Sequence, residues 1–176
     1  PASVPLPETK QAVAVGNEID RFILARLDSE KIPHAPAAAP ERWLRRAAFD
    51  LTGLPPSRAD LEAFIADKSP DARNRAVDRL LASPRYGEEM AVDWLDVARY
   101  ADSFGYQSDL DTQAWPYRDW VIGAFNDNLP WDQFITWQIA GDLLPNPTRA
   151  QITATAFNRL NRKTQEGGSV EPEFRQ

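Results

Sequence analysis

Signals that start a helix recur along this chain at short intervals: Asn17, Pro40-Glu41, Ser57, Ser69-Pro70, Ser83-Pro84, Pro116, Pro130 and Thr148. At each point a side-chain oxygen can accept from, or a proline removes, one of the N–H groups that a helix start leaves unpaired. Between these points apolar residues repeat at helical spacing, and no stretch alternates with period two between turn residues. Such a chain has one economical way to bury its apolar stripes, which is to pack short helices on one another. The fold class expected is all-α: an irregular bundle of about seven to eight helices without significant sheet.

The stripes are specific. Ile19, Phe22, Ile23 and Leu27 share a face after Asn17, and Trp43, Leu44 and Leu51 follow Pro40, with Gly53 placed to end that helix. Leu61, Phe64 and Ile65 follow Ser57, and Val77, Leu80 and Leu81 follow Ser69. The longest helix is expected from Ser83 to near Ala101, with Met90, Trp94, Val97 and Ala98 inward. Later helices carry Trp120, Val121, Ala124 and Phe125, then Phe134, Ile135 and Ile139, then Ile152, Ala156, Phe157 and Leu160. Residues 1–16, PASVPLPETKQAVAVG, read as a linker, so further sequence upstream is expected. The helical domain is expected over 17–161, and 162–176 as a polar tail leading to a continuation.

Composition narrows the function classes. The chain has 176 residues, enough for one core that buries roughly 70% of the unfolded surface, so folding needs neither disulfide nor metal. With no cysteine, it has no thiolate nucleophile, zinc–thiolate site or covalent haem attachment of its own. Its single histidine, His34 in KIPHAP, reads as a solvated loop residue, which leaves little material for Ser-His-Asp chemistry or a His-rich metal site. A net charge of −6 argues against nucleic acid as a partner. Apolar runs fall far short of the ~20 residues of a membrane span.

Charge is unevenly spread. From Tyr86 to Asp142 lie eleven carboxylates against two arginines, Arg99 and Arg118, a net −9 that leaves +3 for the remainder. The same stretch holds five of the six tryptophans and all four tyrosines. Either the aromatics form the core and the acids solvate outer helix faces, or some acids converge on a groove. Two carboxylates about 6 Å apart repel by roughly 0.7 kcal/mol in water and about 3 kcal/mol at an effective dielectric near 20, so convergence would demand a cation or a shared proton.

Local spacing singles out one region. Asp96, Arg99 and Tyr100 would share a face of the long helix, and Asp102 at its C-terminal end would want compensation from Arg99. The loop from about 102 to 115, longer than most helix–helix connections, carries Tyr106, Asp109 and Asp111 and returns to Tyr117, Arg118 and Asp119 at the next helix start. Glu166, before Gly167-Gly168, completes the set of candidate ligand-binding residues. Aromatics beside carboxylates suit carbohydrate, and a carboxylate pair could do glycosidase-type work. The loop does not match the EF-hand spacing for calcium. No catalytic residue, metal site or reaction is assigned.

Seven strings in order, NEIDRFILARL, FDLTGLPP, DRLLASPRYGE, WLDVARYADSFGY, YRDWVIGAFN, QIAGDLLP and the closing EGG…EPEFR, resemble the planctomycete-type cytochrome-associated domain of unknown function. The resemblance covers about residues 17 to 175 and implies the middle part of a large exported protein, periplasmic or cell-surface, often with a c-type cytochrome domain ahead of it. In that family a CxxCH haem segment commonly follows the EFR-like end. No haem is expected to be bound covalently by this chain, and haem c is expected in the continuation or in a partner chain. The partners implied are the remainder of the protein or a haem-carrying second chain, with a basic redox partner or a glycan at the acidic surface. Should haem sit against this domain, tyrosines and tryptophans of the acidic stretch and the EGG tail would line it. Met90, the single thioether, reads as core packing. The leading expectation is a helical module of a c-type-cytochrome-linked redox protein that provides an acidic, aromatic binding surface. A carbohydrate-binding or -processing domain using the Asp102–Asp119 loop and a purely structural or interaction domain are the alternatives.

Overall fold

The computed structural model describes residues 4–11, 15–104 and 109–160. Its helices are α1 (Glu18–Glu30), α2 (Pro40–Thr52), α3 (Arg58–Ala66), α4 (Ala72–Leu81), α5 (Pro84–Val97), α6 (Trp115–Asn126), α7 (Trp131–Ala140) and α8 (Arg149–Ala154), with 3₁₀ turns at Gly141–Leu143 and Thr155–Arg159. Among the described residues there is no strand, only an isolated antiparallel bridge between Ser103 and Asp111. The chain is all-α. It divides into two compact units, Pro1–Ala39 and Pro40–Gln176.

In the first unit Asn17 starts α1 through a reciprocal cap. The Asp20 N–H donates to Asn17 Oδ1 (3.1 Å), while Asp20 Oδ2 accepts from the N–H groups of Gly16 (2.7 Å) and Asn17 (3.1 Å). Lys31 in the left-handed region (φ 57°) ends the helix, and the Ile32 N–H reaches back to the Leu27 carbonyl at 2.9 Å. Part of the stretch expected to be a linker is tied down here. Asp28 Oδ2 accepts from Thr9 Oγ1 (3.1 Å) and the Lys10 N–H (2.7 Å), and Gln11 bridges the Ile32 carbonyl and the His34 N–H. The Lys10 N–H holds the Asp28 carboxyl below its ordinary range. The stripe expected to be buried is not: Ile19, Phe22 and Ile23 are exposed, and Leu24 is the buried residue of α1.

The second unit has two apolar clusters. In the smaller, Leu44, Phe64, Ala72 and Ala76 of α2, α3 and α4 are buried together, with Trp43 stacked on Phe64 at 5.3 Å and the Arg73 guanidinium over the other ring system of the pair, Trp43, at 5.3 Å. Ser57 caps α3, as its spacing to Asp60 requires. The Ser69-Pro70 signal behaves differently. It forms a turn in which the Ala72 N–H meets the Ser69 carbonyl (3.2 Å), so α4 begins two residues later than a proline-first helix would. Ala72 and Ala76 are the buried residues of α4, while of the three residues expected inward Val77 and Leu80 are half-buried and Leu81 is exposed.

The larger cluster gathers Ala91 and Ala98 around α5, Tyr117, Val121 and Ala124 of α6, and Phe134 of α7. Phe134 lies between the stacked rings of Trp120 (5.2 Å) and Trp131 (5.1 Å), with Trp94 meeting it edge-on at 5.0 Å. Behind these rings runs a buried polar network. Tyr117 Oη donates to Gln138 Oε1 (2.6 Å), and Trp94 Nε1 donates to both Gln138 Oε1 and Tyr117 Oη at 3.0 Å. Gln138 Nε2 donates to the Phe134 carbonyl (2.9 Å), and Asn158 Nδ2 to the Gln138 carbonyl (3.0 Å). Among the described residues no buried side-chain nitrogen or oxygen lacks a partner.

Two glycines set how closely these helices approach. A Cβ on Gly87 of α5 would collide with the Ile122 carbonyl of α6 and lie 2.6 Å from the Asn126 side chain, which also accepts from the Gly87 N–H (2.8 Å). Gly53 ends α2 with φ 66°, and a Cβ there would strike the Glu89 carboxylate of α5.

Gly87→Ala should lower unfolding free energy by about 1–3 kcal/mol, because backbone on α6 must move. Urea denaturation of the two proteins measures it, and an unchanged midpoint would contradict the close approach. A second expectation concerns acid. Hydrogen bonds from Arg75 and the Ser69 backbone pull the Asp67 carboxyl down from 3.8 to about 2. The folded value lies below the unfolded one, so this contribution is fully present above about pH 4 and disappears as pH falls through about 2. The stability gap between the parent and Asp67→Asn should therefore close across that window in denaturation curves taken from pH 6 to pH 2.

Candidate functional site

The site is built where α5 stops. The apolar pattern allows a helix to near Ala101, but α5 ends at Val97, with Ala98 as its cap. Arg99 takes φ 59°, its N–H bonds the Asp96 carbonyl (3.0 Å), and the Tyr100 N–H reaches the Leu95 carbonyl (2.9 Å). This closure normally uses glycine at the left-handed position. It also breaks the face that Asp96, Arg99 and Tyr100 would share on a longer helix. Asp96 is exposed on α5, and Val97, expected inward, is 74% exposed.

Beyond Tyr100 the chain makes an excursion closed at its base by backbone hydrogen bonds, Thr112 N–H to the Asp102 carbonyl (2.7 Å) and Phe104 N–H to the Leu110 carbonyl (3.0 Å). Asp102 thus lies past the helix end and is compensated by a different arginine from the one its spacing suggests. Arg118 on the first turn of α6 stands 3.9 Å from Asp102 Oδ1 and 3.1 Å from Asp119 Oδ1, while Tyr100 Oη donates to Asp102 Oδ1 at 2.6 Å. Partial burial, with the Asp102 bond, pushes the Tyr100 hydroxyl up to about 12. Its hydrogen bonds to Asp119 hold the Arg118 guanidinium above its ordinary value.

Of the ten candidate residues, which are those singled out above other than Asp111, four, Tyr100, Asp102, Arg118 and Asp119, therefore meet. Arg99 does not join them and lines the cavity described next. Tyr117 is fully buried in the core network, where burial pushes its hydroxyl up to about 12, so it offers nothing to a ligand. Asp109 is exposed in the excursion with φ 32°. Tyr106 and Glu166 lie outside the described residues. Ten of the eleven carboxylates between Tyr86 and Asp142 are exposed, Glu89 being half-buried, and no group of three or more acids or histidines among the described residues is placed to hold a metal ion.

A cavity of about 510 Å³ opens beside the excursion. Its described walls come from Arg99, Ala101, Ser103 and Phe104, from Thr112 to Ala114, and from Ala156, Arg159 and Leu160. The sequence reading missed Arg159 and the hydroxyls of Ser103 and Thr112. Arg159 ends a 3₁₀ turn in a segment without local motif, and the tether from Asn158 to the Gln138 and Ile139 carbonyls, with Ala156 and Phe157 on the larger cluster, brings it here.

An all-α domain in which the end of the longest helix, the loop after it and the last described turn line a cavity with polar and apolar walls is the class that fold and site define. A family model, PSCyt2, described as a protein of unknown function (DUF1549), matches residues 18–176, and the chain belongs to that family. No curated protein and no solved structure matches it.

The ion pairs of Arg118 are partly exposed, with 38% of its side chain open to solvent. Arg118→Gln should accordingly cost less than about 1 kcal/mol in chemical denaturation. A loss of several kcal/mol would mean that the cluster is structural.

Proposed function

We propose that this chain is the helical docking module of an exported, c-type-cytochrome-linked redox protein, and that it presents an acidic face to a basic partner. The observation that carries the reading is the segregation of charge and aromatics over α5, α6 and α7. Trp94, Trp120 and Phe134 pack against one another around the core, while ten of eleven carboxylates remain exposed and two arginines oppose them. A face of that kind raises association rates with cationic partners and loses its effect with salt.

The chain's own residues do not fit covalent haem. It has no cysteine, its one imidazole, His34, is exposed in the 1–39 unit, and its one thioether, Met90, is half-buried on α5. The proposal assigns haem c to a continuation of the chain or to a second chain, and export rests on the family resemblance. No helix among the described residues is long and apolar enough to cross a membrane. Exposed Val97, Trp131, Ile139 and Leu143 offer apolar surface for contact with such a continuation.

The optical spectrum of the full-length protein should carry a haem c signal, and the isolated domain should bind a basic cytochrome with an affinity that falls steeply between low and physiological salt. Charge reversal at Asp93 and Asp96 should weaken that binding about ten-fold or more. Absence of haem c overturns the redox assignment. Salt-independent binding, or none, overturns the docking face and leaves a purely architectural role, which exposed and separate acids also suit. A second reading, carbohydrate binding or processing at the 102–119 loop, is favoured by the cavity beside that loop. Glycan binding unaffected by Asp102→Ala together with Arg118→Ala would rule it out.

A further inference from the structure

The cavity has a charge opposite to that of its surroundings. Among the described residues that line it, two are arginines, Arg99 and Arg159, and none is acidic, although the stretch from Tyr86 to Asp142 carries −9. Neither arginine forms an ion pair with a described carboxylate, whereas Arg118, Arg85 and Arg75 each do. Ser103, Thr112 and Gln113 add neutral donors to the wall, and Phe104, Leu160 and three alanines supply an apolar one.

The backbone beneath each cation points the same way. Arg99 occupies the left-handed position that ends α5, with φ 59°, where a side chain is disfavoured and glycine is the usual occupant. Lys31 ends α1 in the same conformation, so at Arg99 it serves to place that residue on the cavity wall where the chain leaves α5. Arg159 ends a 3₁₀ turn whose preceding residue, Asn158, donates to the Gln138 and Ile139 carbonyls, so its backbone is anchored to the end of α7.

From this geometry we infer that the cavity binds a small organic oxyanion, a carboxylate or a sulfate or phosphate ester, with Arg99 and Arg159 on the anionic group and the apolar wall on its carbon skeleton. Guanidinium forks match the oxygens of such groups, and the volume of about 510 Å³ suits a small organic ligand. The inference does not depend on the docking face or on haem, since every group it uses belongs to this chain.

Isothermal titration calorimetry at low salt tests it with glucuronate, glucose 6-sulfate and glucose 6-phosphate, which place different oxyanions on one skeleton, and with glucose and inorganic sulfate as controls. At least one charged sugar should bind, more tightly than either control, and Arg159→Gln should weaken it about ten- to a hundred-fold. The decisive variant is Arg99→Gly. Glycine relieves the left-handed position, so the melting temperature should hold or rise while binding falls by a similar factor. The inference is overturned if no charged probe binds, if a control binds as well as the charged sugars, or if binding survives both substitutions.

Discussion

The larger cluster of the second unit leans on one buried acceptor, the side-chain oxygen of Gln138. It receives Tyr117 Oη from α6 and Trp94 Nε1 from α5, while the same residue's amide nitrogen bonds its own helix one turn back, at the Phe134 carbonyl. Phe134 in turn is the ring around which Trp94, Trp120 and Trp131 are arranged. A buried polar group is tolerated only when its hydrogen bonds are complete, so Gln138 restricts three helices to one mutual arrangement where apolar packing alone would accept several. From that arrangement follow the direction in which α5 ends, the placement of the excursion after it, and, through Asn158 on the Gln138 carbonyl, the C-terminal turn that brings Arg159 to the cavity.

The network draws on three of the strings that carry the family resemblance. Trp94 comes from WLDVARYADSFGY, Tyr117 from YRDWVIGAFN and Gln138 from QIAGDLLP. Gly87 of DRLLASPRYGE permits the α5–α6 contact, and Gly53 of FDLTGLPP ends α2 against Glu89. Much of what looks distinctive in the sequence is therefore architecture, and the cavity's arginines are a smaller, separate feature.

The fold class was legible because capping is local. Asn17, Ser57, Ser83 and Thr148 each accept from a backbone N–H within three residues, so the sequence contains both partners. Burial was less legible. Ile19 and Ile23, Leu81, Val97 and Ile139 all stand at helical spacing from apolar neighbours yet are exposed, because which stripe is covered depends on partners distant in sequence. The site was half legible. Acidity and the long loop drew attention to residues 96–119, but a left-handed residue at the end of α5 reassigned Arg99 from Asp102 to the cavity and Arg118 to Asp102. Tyr117 carried no local sign that its hydroxyl faces Gln138, and Arg159 none that it faces Arg99's cavity.

Hydrogen exchange of the tryptophan indole N–H groups, followed by NMR, tests the central role of this network directly. The Trp94 indole, identified by its loss in Trp94→Phe, should exchange far more slowly than those of Trp115 and Trp131, which are 52% and 57% exposed. If the Trp94 signal exchanges as fast as theirs, the bond to Gln138 is not held in solution and the account of how this domain is organised fails.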